Sequence, residues 1–135
     1  MARVFTSESD LPLTFDENRA RATLWAAIKA KTVDFLVVVE QKVIVAAVIL
    51  VYEHDYYTEA CAYVDKFFVH KEFRGLGASE CLLRGCLEYA GRRGAKLMFA
   101  AATAGMGDRV EKLYVRLFEK HGFSVLGRIL MRGLT

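Results

Sequence analysis

The chain has 135 residues, of which 54% are apolar, with a single proline and a formal net charge of +3. This length accommodates one domain with a substantial core, and the composition excludes a disordered chain. The small positive charge permits an anionic ligand but is well below the basic footprint of a nucleic-acid-binding protein.

The sequence contains no clear membrane or secretion signal. Its most apolar stretch, residues 35–52, is interrupted by Glu40, Gln41 and Lys42, and residues 1–10 carry acidic side chains where a signal peptide needs an apolar core. Three cysteines without C-x-x-C spacing indicate reduced thiols and a cytoplasmic protein. The three histidines are scattered, so no metal site is predicted.

Residues 16–31 have the periodicity of an amphipathic helix. Leu24, Ala27 and Ile28 recur on one face and are expected to point inward. A short first strand is predicted before this helix, at residues 1–5.

A β-hairpin is predicted next. Residues 35–40 and 43–52 are rich in β-branched side chains, and Gln41 and Lys42 between them favour a tight turn. The polar and aromatic residues 53–59 then form a loop, whose plainest interpretation is a solvated turn.

The segment 62–90 changes its hydrophobic period around a glycine-bearing turn at residues 74–79. An aromatic and β-branched run before the turn predicts a strand, and apolar residues at three- and four-residue steps after it predict a helix. A helix start binds phosphate through its unpaired N–H groups, Gly75 and Gly77 leave room there, and Arg74 adds charge. The alternative is a plain connection in which glycine only relieves backbone strain.

The last third of the chain predicts a strand at residues 97–102, a helix at 108–121 ended by Gly122, and a final strand or pair of strands at 124–132. The apolar residues 125–131 could support a homodimer through an exposed edge. Together these elements predict one α/β domain spanning the whole chain, with a central, mostly antiparallel sheet and helices on both faces.

The turn and its flanks resemble the acetyl-CoA signature of the GNAT superfamily of acyl-CoA N-acyltransferases. That signature reads R/Q-x-x-G-x-G/A and precedes an amphipathic helix, and the chain departs from it only in its last position, where serine stands. Serine there could also cap the helix. The matching residues are Val69, Arg74, Gly75, Gly77 and Ser79.

A second stretch, residues 117–123, resembles the family's helix ending in L-Y-x-x-x-G-F. The two landmarks occur in the family's order and spacing and cover roughly the second half of the chain. The first half matches only in its strand pattern. The chain carries Phe118 where the family usually has tyrosine.

The resemblance implies an N-acetyltransferase that transfers an acetyl group from acetyl-CoA to a primary amine. It assigns the diphosphate to the backbone of the glycine turn. The pantetheine arm is assigned to the preceding strand, which in this family splays from its neighbour and bonds the cofactor as an added strand would. The cofactor-binding residues implied are Phe67, Phe68, Val69, Arg74, Gly75, Leu76, Gly77, Ala78, Ser79 and Phe118.

The departing thiolate needs a proton, which Phe118 cannot donate. Tyr114 lies one helical turn earlier on the same face and is the candidate general acid, the alternative being a core tyrosine with its hydroxyl at the rim. Asp65, on the strand before the turn, is a candidate general base for the amine, as are Glu53 and His54 on the preceding loop.

The loop before that strand borders the acceptor cleft in this family, so His54, Asp55, Tyr56 and Tyr57 are candidates for contacting the amine. The acceptor could be a small molecule, a protein N-terminus, a lysine or an aminoacyl-tRNA. A GNAT-like module that binds acetyl-CoA with little or no turnover is the main alternative function, because Phe118 lacks a hydroxyl. A nucleic-acid-binding protein is a weaker alternative, since the basic residues are spread over several elements.

Overall fold

A computed structural model of the protein describes residues 14–54, 58–101, 107–127 and 132. The first strand expected at residues 1–5 lies outside these ranges. The elements are helix α1 (Glu17–Lys29), strands β1 (Val33–Glu40), β2 (Val43–Glu53) and β3 (Ala60–Val69), a short 3-10 turn (Lys71–Phe73), helix α2 (Ala78–Arg92), strand β4 (Ala95–Ala100) and helix α3 (Asp108–Lys120).

Helix α1 confirms the helix predicted in this part of the sequence. The carboxylate of Asp16 caps it by accepting the backbone N–H of Arg19 at 3.0 Å. The expected inward face is only partly correct, because no residue of α1 is buried and Ile28 is 37% exposed. Its apolar residues therefore rest on the sheet surface without entering the core.

The four strands form one sheet in the order β1-β2-β3-β4. β1, β2 and β3 are antiparallel neighbours, and β3 pairs with β4 in parallel. The predicted hairpin is confirmed: Gln41 and Lys42 have φ values of 48° and 67°, the left-handed pair that a type I′ turn needs. Parallel pairing of β3 with β4 requires a crossover, which α2 supplies.

The core lies on one face of the sheet, where α2 and α3 pack. α1 contacts β1 and contributes no residue to this cluster. The sheet order and the packing of these helices confirm the predicted mixed α/β fold with a mostly antiparallel sheet. The buried cluster consists of Val45, Ala46, Val48, Leu50, Val64, Phe67, Val69, Ala78, Leu82, Leu83, Cys86 and Phe118.

The end of the chain differs in part from the expectation. Helix α3 ends as predicted, with Gly122 in the left-handed region at φ 88°. Residues 124–127 are not in a strand, and Val125 and Leu126 are exposed. The strand predicted at 124–132 is therefore wrong over its first four residues, and residues 128–131 lie outside the described part. The homodimer stays a prediction.

Candidate functional site

The glycine turn between β3 and α2 has the backbone that its sequence predicts. Gly75 and Gly77 have φ values of 81° and 89°, which L-residues rarely adopt. A Cβ built on either glycine would meet nothing within 4 Å. The surroundings are thus open, and glycine is required here by backbone conformation, with space left beside it for a ligand.

The start of α2 presents unpaired donors at this turn. The first backbone hydrogen bond of α2 runs from the Cys81 N–H to the Gly77 carbonyl at 3.0 Å, so the three preceding N–H groups have no acceptor within the helix. The macrodipole adds about half a positive charge at the same end. The helix cap expected of Ser79 is wrong: Gly77 is the N-cap, and Ser79 is the second residue of the helix.

Arg74 connects the turn to the end of β3. Its Nε donates to the Val69 carbonyl at 2.9 Å, and its guanidinium carbon lies 5.9 Å from the centre of the Phe68 ring. The side chain therefore fixes where the turn leaves the strand, and it adds a positive charge beside the open N–H groups of α2.

β3 extends past its pairing with β4. The parallel register runs from Ala60 opposite Ala95 to Val64 opposite Ala100, whereas on its other side β3 stays paired with β2 as far as Val69. Residues 65–69 therefore lie beyond the end of β4 while still paired with β2, and we call them the open segment. The family resemblance predicts that this strand parts from its neighbour; in the described residues, β4 ends at Ala100.

A β-bulge lies where the open segment begins. Ile49 pairs with Lys66 and Leu50 with Val64, so Asp65 is the extra residue on β3. The Asp65 carboxylate is half exposed and lies 3.0 Å from the Lys66 ammonium. The candidate base thus lies where the open segment begins, paired with a lysine.

Helix α3 covers the open segment with Tyr114 and Phe118. The Tyr114 hydroxyl donates to the Phe67 carbonyl at 3.4 Å, and its ring meets the Phe67 ring edge-on at 5.6 Å. Phe118 is only 6% exposed and packs edge-on against Phe67 and Phe123, at 5.5 and 4.9 Å. The structure therefore brings the candidate acid to the open segment and places Phe118 in the core behind it.

The loop candidates are only partly described. Glu53 is the last residue of β2, where it pairs with Cys61, and His54 follows it and is exposed. Asp55, Tyr56 and Tyr57 lie outside the described residues. Over the described ranges, no three His, Cys, Asp or Glu side chains are grouped as metal ligands would be.

A polar cluster that the sequence did not predict lies beside the turn. The Glu80 carboxylate, in the first turn of α2, lies 2.6 Å from the Lys120 Nζ and 2.8 Å from the His121 Nε2. The Lys120 hydrogen bond, followed by that of His121, lowers the pKa of Glu80. A glutamate in a helical first turn is ordinary, so nothing in the local sequence indicates that its partners lie forty residues away.

The backbone donors of the open segment and of the glycine turn follow one another along the chain, from the bulge at Asp65 to the first turn of α2. The sequence profile of the acetyltransferase (GNAT) family matches residues 3–123. This chain belongs to the GNAT acetyltransferase family. No curated protein matches it.

Solved structures of other acetyltransferases share the GNAT fold of this chain. A Pyrococcus furiosus protein assigned as an acetyl transferase is 23% identical, with a TM-score of 0.69, over 98% of this chain and 87% of that one. A predicted acetyltransferase of Clostridium acetobutylicum, solved with acetyl-CoA, is 16% identical, with a TM-score of 0.75, over 98% and 84%. An aminoglycoside acetyltransferase from an uncultured soil metagenomic sample is 18% identical, with a TM-score of 0.71, over 84% and 74%.

The GNAT fold uses acetyl-CoA, and the residues of this chain fit that molecule. A diphosphate would meet the open N–H groups at the start of α2, in the space that a Cβ at Gly75 or Gly77 would fill. An extended arm would meet the open segment of β3. Within the described residues, no helix combines the length and apolar content needed to cross a membrane.

Proposed function

We propose that this protein is a single-domain N-acetyltransferase that moves an acetyl group from acetyl-CoA to a primary amine. One observation carries the proposal: the open segment of β3 runs directly into the glycine turn and the unpaired first N–H groups of α2. An extended thioester with a diphosphate at its far end matches this sequence of donors. The three cysteines, all free thiols, support a cytoplasmic location.

In the proposed reaction, the neutral amine attacks the thioester carbonyl carbon, the C–S bond breaks, and the sulfur leaves as a thiolate that takes up a proton. We assign to Asp65, which is half exposed, the acceptance of the amine proton, directly or through water. We assign to Tyr114 the donation of a proton to the sulfur, and the contact of its hydroxyl with the open segment supports this role. Backbone N–H groups of that segment would stabilise the carbonyl oxygen as it gains charge.

The acceptor remains to be found by direct assay. Similarity to an aminoglycoside acetyltransferase makes aminoglycosides one class for a test panel, beside polyamines, peptide N-termini, lysine side chains and aminoacyl conjugates. His54, Tyr56 and Tyr57 are the residues we propose for contact with the acceptor. Release of free CoA thiol that depends on one of these amines would identify the class.

The second candidate function is a cofactor-binding module with little or no turnover. The burial of Phe118 favours it, because the position where the family usually has tyrosine carries no hydroxyl and faces the core. Acceptor-dependent thiol release would exclude this module. Acetyl-CoA binding without release for any amine on the panel would support it.

Gly77→Ala tests the cofactor site. A methyl group at Gly77 would enter the space where the diphosphate approaches, so we expect acetyl-CoA affinity to fall about ten-fold or more in titration calorimetry. Gly94→Ala is the matched control, since Gly94 also has a positive φ, of 78°, and open space around its Cβ position, but follows the other end of α2.

Both variants place alanine at a positive φ, so we expect the free energy of unfolding to fall by a similar amount in each, about 1 kcal/mol. Only Gly77→Ala should lose affinity. Equal acetyl-CoA affinity in the two variants would contradict the proposed diphosphate site.

A further inference from the structure

Helices α2 and α3 are joined by one carboxylate. Glu80, the third residue of α2, places one oxygen 2.6 Å from the Lys120 Nζ and the other 2.8 Å from the His121 Nε2. Lys120 is the last residue of α3, and His121 is its C-cap. Both oxygens of one side chain thus bind the end of the other helix, across forty residues of sequence.

The position of this bridge relates it to both halves of the candidate site. The first turn of α2 carries the N–H donors proposed for the diphosphate. α3 carries Tyr114 and Phe118, and His121 follows them at the spacing of the same helical face. The bridge is therefore a polar connection between the turn that would hold the cofactor and the helix face that lies on the open segment.

We propose that Glu80 is a positioning residue of the transfer reaction. By binding Lys120 and His121, it fixes the distance between the glycine turn and α3, so that the Tyr114 hydroxyl would reach an acetyl-CoA whose diphosphate would be held by the start of α2. This inference rests on the proposed function, and it goes beyond that function by assigning a role to the contact between the helices.

If Glu80 acted only through its local charge, its removal would change KM rather than kcat. A carboxylate in the first turn of α2 repels a phosphate bound at the same end, so removing its charge should strengthen acetyl-CoA binding and lower KM. Loss of positioning should lower kcat instead, because a displacement of about 1 Å at a reacting group can cost up to about 100-fold in rate. The two roles therefore separate in a comparison of kcat with KM.

Glu80→Gln keeps the shape of the side chain but removes the charge that attracts Lys120 and leaves one acceptor oxygen in place of two. We expect kcat to fall about ten-fold while the KM for acetyl-CoA does not rise. Glu88→Gln is the matched control, since Glu88 lies on the same helix but pairs with Arg92 within it. Glu88→Gln should retain the parental kcat.

A double variant, Glu80→Gln with Lys120→Gln, should lose no more kcat than Glu80→Gln alone, because both changes break the same contact, between Glu80 and Lys120. Unchanged kcat in Glu80→Gln, or a raised KM alone, would overturn the proposal. If the parent shows no turnover with any amine, amide hydrogen exchange decides. Faster exchange over the last turn of α3 in Glu80→Gln than in Glu88→Gln supports the bridge, and equal exchange overturns it.

Discussion

Two aromatic side chains one turn apart on α3 differ in what they can do chemically. Tyr114 carries a hydroxyl 3.4 Å from the Phe67 carbonyl of the open segment. Phe118 is buried between Phe67 and Phe123 and has no exchangeable proton. Of these two residues, only Tyr114 could supply a proton to a departing thiolate.

Tyr114→Phe should lower kcat about ten-fold or more, because a positioned general acid contributes at least about 100-fold in typical enzymes. Acetyl-CoA affinity should hardly change, since the ring still packs edge-on against Phe67. Steady-state kinetics and calorimetry on the variant measure the two quantities. Tyr89→Phe, which removes an exposed hydroxyl from α2, is the control and should keep the parental rate.

Adding Phe118→Tyr to the Tyr114→Phe variant should restore part of the rate, because a hydroxyl then returns at the position that usually carries it in this family. Turnover at the parental rate in Tyr114→Phe alone would exclude Tyr114 as the acid. Solvent would then protonate the sulfur.

At the scale of elements, the far end of α2 is tied to the sheet by a second polar cluster. The Asp34 carboxylate of β1 accepts the Tyr52 hydroxyl at 2.7 Å and lies 3.1 and 3.2 Å from Nε and a terminal nitrogen of Arg93. The same arginine donates to the Lys31 carbonyl and stacks over the Tyr52 ring. Both ends of α2 are thus held, one by Glu80 and the other by Arg93.

This cluster predicts a loss of stability at alkaline pH. Burial, followed by the hydrogen bond to Asp34, raises the pKa of Tyr52 above its ordinary value of 10.0. The folded protein therefore holds the phenolic proton more tightly than the unfolded chain. The stabilisation is complete below pH 10.0 and is lost as the pH rises from there toward the folded-state pKa.

Denaturant titrations at several pH values between about 8 and 11 would measure this effect as the free energy of unfolding. Tyr52→Phe should be less stable than the parent near neutral pH and should lose less stability over the alkaline part of the range. An identical alkaline loss in the two proteins would show that Tyr52 does not cause it.

At the scale of the whole molecule, local patterns in the sequence predicted local structure. Backbone preferences of a few neighbouring residues explain the turn at Gln41 and Lys42, the glycine turn before α2 and the end of α3 at Gly122. The register of β3 with β4 could be expected only from the family resemblance, because parallel pairing joins segments separated by a helix.

The predictions from sequence that were wrong also have physical causes. Ser79 is a good capping residue, but the helix starts one residue after Gly77, which leaves Ser79 inside it. Residues 124–127 have a strand-like composition, yet strand formation depends on a partner, which composition does not specify. The Glu80 bridge depends on how two helices pack, and no local pattern encodes that.

The open segment has one further consequence, for self-association. A strand that continues beyond the end of its neighbour presents a sheet edge on that side, and such edges recruit other extended chains. Two features described above oppose this: the bulge with its charged pair, Asp65 and Lys66, and the Tyr114 hydroxyl on the Phe67 carbonyl. Bound acetyl-CoA would cover the rest.

We therefore expect Lys66→Val to aggregate faster than the parent when no cofactor is present, with light scattering as the measurement. Saturating acetyl-CoA should suppress most of that difference. Equal scattering by the two proteins without cofactor would show that the edge is already protected by the fold. If scattering follows this expectation, acetyl-CoA would also protect the open segment against aggregation.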